Sequence, residues 1–177
     1  APQHAVERGH QALAAGQVGV VVVAGGQGTR LGFNKPKGMF PIGPVSGASL
    51  FQILIEKVLA RSRAAGMRIP LYLMTSDATH AETLAYLAAN ENFGMAREDI
   101  TVFCQGNMPA VDAESGRLLL TEKHQLALSP DGHGGMLRAM ATSGVLDSIS
   151  SQPLSVWRLT CKVPLPAGSR LSANEMQ

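Results

Sequence analysis

Three observations predict an α/β fold with a parallel sheet and helices on its faces. Apolar, β-branched runs alternate with segments of helical pattern. The first run breaks into a glycine-rich turn, and the residues suited to ligand chemistry follow the carboxyl ends of the apolar runs. Alternation of this kind builds parallel sheets, which bind ligands at the carboxyl ends of their strands. Residues 5–15 have helical composition, and Gly16 is placed to end that helix. Residues 18–24, with valine at every position from Val20 to Val23, read as a buried strand. Pro36, Pro41 and Pro44 keep 33–48 irregular. Ser49 with Gln52 forms a capping box opening a helix whose stripe is Leu50, Ile53, Leu54 and Val58. Lys57, Arg61 and Arg63 face water, and Gly66 stops the helix.

Ile69 to Thr75 reads as the second strand. Thr79 with Glu82 repeats the capping box and opens a helix reaching Asn90, after which Ile100 to Cys104 makes the third strand. Residues 109–121 read as a hairpin turning at Glu114-Ser115-Gly116. Gly134-Gly135 opens a short helix from Met136 to Thr142, ended by Gly144.

A chain of 177 residues, 45% apolar and 16% charged, is long enough for one domain with a real core. A net charge of +2, with no long run of lysine or arginine, argues against nucleic acid or a membrane surface as partner. Cys104 and Cys161 give neither metal spacing nor a disulfide framework, so a reducing, cytoplasmic setting is expected. No run of about eighteen apolar residues is present to span a bilayer.

The turn Ala24-Gly25-Gly26-Gln27-Gly28-Thr29-Arg30-Leu31-Gly32 is followed by Pro36-Lys37-Gly38. Glycines let main-chain N–H groups approach a ligand without Cβ interference. With Arg30 and Lys37 beside them, they suit a succession of phosphate oxygens. A dinucleotide fingerprint fails because Leu31 stands where its third glycine belongs. A Walker loop fails because Gly32 to Lys37 lacks the second glycine and the hydroxyl. The stretch is read as a nucleoside triphosphate site.

The long motif AGGQGTRLG…PKGMF resembles the UDP-sugar pyrophosphorylase family, its UDP-N-acetylglucosamine pyrophosphorylase branch in particular. Three further stretches resemble it in the same order: Met74-Thr75-Ser76, Phe103 to Gly106 leading to Met108 through Asp112, and Pro130 to Gly135. The resemblance covers roughly 10–149 and implies a nucleotidyltransferase, Rossmann-like parallel or mixed sheet with helices on both faces. It implies an enzyme that joins UTP and a sugar 1-phosphate with Mg²⁺, releasing pyrophosphate. Gln27, Arg30, Leu31 and Met39 look more like the N-acetylglucosamine branch; a broad-specificity, UDP-glucose-type enzyme and a catalytically dead uridine-nucleotide-binding remnant are the alternatives.

By the same resemblance, Lys37 and Arg30 are the catalytic, phosphate-contacting residues. Ala24, Gly25, Gly26, Gly28, Thr29, Gln105 and Gly132 bind the nucleotide, with Gln105 reading the base. Uracil presents an N–H between two carbonyls, which an amide side chain answers. His133 is the ribose-side or sugar-side candidate. Asp112 is read as a hairpin residue and Asp131 as a cap for the following turn, neither as a metal ligand. The aspartate that holds Mg²⁺ in the family is expected downstream and is not assigned in this chain. Residues 1–149 are expected to be part of the catalytic domain, and 150–177 a divergent tail, non-native or disordered.

Overall fold

The computed structural model describes residues 3–150 and, for their backbone, 155–159. Helix α1 (Gln3–Ala14) leads through Gly16, at φ 66°, into strand β1 (Val18–Val23). Then follow helix α2 (Leu50–Ala65), strand β2 (Leu71–Thr75), helix α3 (Asp77–Ala89) and strand β3 (Ile100–Cys104). Helices α4 (Met136–Thr142) and α5 (Val145–Ser150) precede strand β4 (Ser155–Leu159). The four strands form one parallel sheet in the order β3-β2-β1-β4, with Val20 opposite both Leu71 and residue 157. The strand β4 lies in the segment set apart above as a tail; the rest of that segment, 151–154 and 160–177, falls outside the described residues.

Alternate residues of each strand enter opposite faces. Val20, Val22, Leu71, Leu73 and Ile100 meet Phe51, Leu54, Ile55 and Val58 of α2 on one face. Val21, Tyr72, Met74 and Phe103 meet Ala139 and Met140 of α4 with Val145 and Ile149 of α5 on the other. Cover on both faces explains why these strands are unbroken apolar runs and not alternating ones. The helical stripe of α2 differs from the expected one. Phe51 and Ile55 are its most deeply buried residues, while Leu50 and Ile53 lie at its margin.

The punctuation of the helices is also partly revised. Ser49 Oγ accepts from the amide of Gln52, but the Gln52 side chain turns away to Glu56, so only half of that capping box forms. The cap of helix α3 lies three residues earlier than Thr79. It is Ser76, and Thr79 is the reciprocal partner whose hydroxyl accepts from the Ser76 amide. A buried Thr79 serves the cap better than an exposed Glu82 because its hydroxyl both donates and accepts. After α3, Glu91, Asn92 and Phe93 stand at φ near 50° before Gly94 at 81°. Three successive left-handed residues cost of order 1–2 kcal/mol each. The Phe93 ring, 5.8 Å from that of Tyr86, anchors the turn against the core.

Residues 107–130 form an arm, and the expected hairpin at 109–121 is only its tip. Asn107–Pro109 pairs antiparallel with Leu128–Pro130, enclosing a Val111–Leu118 bridge and a second, short pairing of Leu120–Glu122 with Gln125–Leu126. Asp112 holds the turn, its Oδ1 accepting from the Ser115 amide at 2.8 Å and hydroxyl at 2.6 Å. These bonds hold the Asp112 carboxyl below its ordinary range. The register was not set by sequence because the paired residues are mostly exposed, and exposed strands specify register weakly. Among the described residues no helix is long and apolar enough to cross a membrane.

Replacing Ser49 by alanine removes the bonded half of the α2 cap. Urea unfolding is expected to show a loss of about 1 kcal/mol with an unchanged m-value.

Candidate active site

From β1 the chain winds to β2 and β3 on one side, and β4 later returns on the other. The strand order therefore reverses at β1, and the crevice at its carboxyl end is where open α/β sheets take their ligands. Ala24 to Thr29 leave the sheet there. The loop closes on itself through an antiparallel bridge between Gln27 and Pro36. Within it, the Lys37 amide donates to Gly26 O at 3.0 Å and the Gly28 amide to Lys35 O at 2.9 Å. The Ala24 amide is also committed, to Met74 O at 2.7 Å. Among the described residues the amides of Gly25, Gly26 and Thr29 make no main-chain hydrogen bond. The main-chain amide of Gln27 makes none either, so the loop offers a run of donors to an anion. Gly28 contributes space instead: a Cβ there would lie 2.7 Å from Phe33 O.

Two candidate side chains reach this loop at adjacent glycines. The Lys37 ammonium lies 3.9 Å from the point where a Gly26 Cβ would stand. The buried Gln105 amide lies against Gly25, its Nε2 3.1 Å from the corresponding point, with the Ser76 amide nitrogen at 3.2 Å. Any side chain at Gly25 would have to displace Gln105. Ser76 strengthens the contact, its Oγ donating to Gly25 O at 2.8 Å. Gln27 adds a second tie, from Nε2 to Ala78 O at 3.2 Å. Both residues lie in stretches that carry the family resemblance, but neither was given a role at the loop; Ser76 carried a signal, since a serine at a strand-to-helix junction is an N-cap whose hydroxyl faces the strand ends.

The loop that carries Gly132 and His133 is brought beside Gln105 through its neighbour. The Asp131 amide donates to Gly106 O at 3.0 Å, and the Asp131 carboxylate fits between Gly106 and Gly135, where a Cβ on either would collide with it. The expected capping bond from Asp131 does not form. Its Oδ1 is buried without a hydrogen-bond partner, and the N-cap of α4 is Gly135. Gly132 adopts φ 61°, which glycine takes without strain. Arg30, on the 3₁₀ turn Thr29–Leu31, and His133 are both exposed, and their side chains make no hydrogen bond or ion pair among the described residues. The structure ties neither of them to the Gly25–Gln105 contact.

The turn bearing Lys37 is set by packing. Lys37–Met39 is a 3₁₀ turn, and Gly38 lies directly on the Phe51 ring, with no room for a Cβ. Beyond β3, Cys104 is partly buried, and this with the Asp77 carboxylate beside it pushes its thiol up to about 11. At neutral pH Cys104 is a thiol and not a nucleophile. A separate apolar cleft of about 840 Å³ lies between α1, α2 and β1, lined by Leu13, Val18, Val20, Leu54 and Val58. No residue of the glycine loop lines it.

A glycine loop at a sheet's reversal point, with an amide at Gly25 and an ammonium at Gly26, is an arrangement chemically suited to a nucleotide, on an α/β fold of nucleotidyltransferase type. A family model described as UTP–glucose-1-phosphate uridylyltransferase matches residues 3–156, and the chain belongs to that family. The chain is 44% identical over 135 residues to the UDP-N-acetylglucosamine pyrophosphorylase of Saccharomyces cerevisiae, covering 75% of this chain and 28% of the relative. It is 39% identical over 147 residues to UDP-N-acetylglucosamine diphosphorylase 1 of Arabidopsis thaliana, covering 77% and 29%. In structure it is similar to the uridine diphosphate N-acetylglucosamine pyrophosphorylase of Trypanosoma brucei solved with an inhibitor. That match has a TM-score of 0.78 and 30% identity, over 86% of this chain and 33% of the other. The chain thus spans under a third of the length of the curated relatives it matches.

Gly38→Ala is expected to destabilise the fold by about 1–3 kcal/mol, since the added methyl forces Phe51 from its place. Chemical denaturation measures this; an unchanged midpoint would show that Phe51 does not pack on Gly38.

Proposed function

We propose that this chain carries the UTP-binding part of a uridylyltransferase that makes UDP-N-acetylglucosamine from UTP and N-acetylglucosamine 1-phosphate. One observation carries the reading: an amide side chain and an ammonium stand at adjacent glycines of one loop, Gln105 at Gly25 and Lys37 at Gly26. The amide suits the uracil edge, and the ammonium suits the phosphates that follow it. The choice of sugar is supported by the names of the relatives at 44% and 39% identity.

In this reaction a phosphate oxygen of the sugar phosphate attacks the α-phosphorus of UTP. The bond from that phosphorus to the bridging oxygen breaks, and pyrophosphate leaves with the electron pair. Such transfers need alignment and charge neutralisation more than covalent help from the protein. Gln105 and the Gly25 main chain fix the nucleoside, which sets where the α-phosphorus lies. Lys37, pinned through its own amide to Gly26 O, follows the negative charge that grows on the non-bridging oxygens. Arg30 is free to swing onto the outer phosphates with its fork of donors. Among the described residues no three His, Cys, Asp or Glu side chains gather into a metal-holding group. The aspartate expected to hold Mg²⁺ is not assigned among these residues, and no step is routed through the ion.

Calorimetry with UTP, CTP and inorganic triphosphate tests the proposal on this chain. Lys37→Ala is expected to weaken all three by about tenfold or more, the loss of a charge-assisted contact. Gln105→Ala is expected to erase most of the UTP preference and leave triphosphate binding intact. Equal affinity of the unaltered protein for UTP and CTP would refute the base assignment. In the longer enzyme, pyrophosphate release with N-acetylglucosamine 1-phosphate is expected to exceed that with glucose 1-phosphate, and the reverse order would reassign the sugar.

A further inference from the structure

Gln105 is held against Gly25 by a segment whose own fixing is unusual. Residues 104–107 leave the edge of the sheet, where β3 has, among the described residues, a neighbour only on the β2 side. The main chain supplies two ties: the Gln105 amide donates to Thr75 O at 2.8 Å, and Gly106 O accepts from Asp131. The side chains supply a third. Asp77, first residue of α3, accepts from Cys104 Sγ at 3.2 Å through Oδ1 and from Asn107 Nδ2 through Oδ2. One carboxylate thus grips the residue before Gln105 and the residue after Gly106. Both bonds favour its ionised form and hold the Asp77 carboxyl below its ordinary range.

We infer that Asp77 is a positioning residue for base recognition. It fastens the 104–107 segment to the start of α3, so that the Gln105 amide stays seated under the glycine loop. The inference rests on the proposed role of Gln105. Asp77 also stands at the N-terminus of α3, where a carboxylate is favourable in any protein. A helix-stabilising role alone would lower the affinity for every nucleotide together. A positioning role acts on the choice of base.

The test compares UTP, CTP and inorganic triphosphate binding to the 177-residue chain and its variants, by calorimetry. Asp77→Ala is expected to lower the UTP-to-CTP affinity ratio about five- to tenfold, with triphosphate affinity held within about twofold. The double variant Asp77→Ala, Gln105→Ala is expected to show no smaller ratio than Gln105→Ala alone, because both act through one contact. Asn107→Ala removes one arm of the grip without touching the helix and is expected to lower the ratio by about threefold. It serves as the variant of record should Asp77→Ala fail to fold. Alkylation adds an independent readout in a Cys161→Ser background: Cys104 is expected to react slowly at pH 8 and several-fold faster once Asp77 is removed. An unchanged base ratio in Asp77→Ala and Asn107→Ala, with the ratio lost in Gln105→Ala, overturns this inference alone. A ratio retained in Gln105→Ala overturns the base reading and this inference with it.

Discussion

The contact between the Gln105 amide and the bare α-carbon of Gly25 is the constraint on which the site depends. An amide nitrogen can come within 3.1 Å of that Cβ position only because no Cβ is there. The contact joins β1, which carries the glycine, to β3, which carries the glutamine, across the end of the intervening β2. Ser76 fills that gap, bonding Gly25 O from the start of α3. Three crossovers are thereby locked at one level, and the level is the carboxyl end of the sheet. Burial of Val21, Leu71, Leu73 and Met74 fixes the strands beneath, each side chain contributing about 1.5–3 kcal/mol relative to exposure. The polar contact above them only has to choose a geometry, not to hold the fold.

Lys37 is positioned by a second steric demand of the same kind. Gly38 rests on the ring of Phe51, so the turn before it is pressed towards the glycine loop. The amide of Lys37 then bonds Gly26 O, and the ammonium lies 3.9 Å from the Cβ position of Gly26. Core packing is in this way converted into placement of a charge. Arg30 has no comparable support and stands exposed. An unsupported arginine costs little to hold away from ligand, and its long side chain is free to adjust to phosphates that differ in number.

Much of this was legible in the sequence, for reasons that differ by residue. The buried strands announce themselves by unbroken apolar runs, and Gly16, Gly66 and Gly144 mark helix ends because the left-handed region favours glycine. Lys37, Gly25 and Gln105 were found through spacing and family resemblance, and the structure brings them together. What escaped is what depends on pairing across distance. Ser76 was passed over as the cap of α3 because Thr79 and Glu82 offered an equally good local pattern. The Gly38–Phe51 contact joins residues thirteen apart whose meeting nothing local signals. The left-handed turn at Glu91–Gly94 uses three residues with ordinary preferences, held by an aromatic contact with Tyr86. Asp77 carried no local signal, because Cys104 and Asn107 reach it only across the fold.

The most direct measurement is a titration followed by nuclear magnetic resonance on isotopically labelled protein, watching the Gln105 side-chain amide and the Gly26 main-chain amide. UTP is predicted to shift both signals, and inorganic triphosphate only that of Gly26. A Gln105 signal that ignores UTP while Gly26 responds would place the base elsewhere, and the account of how this crevice recognises uridine would be wrong.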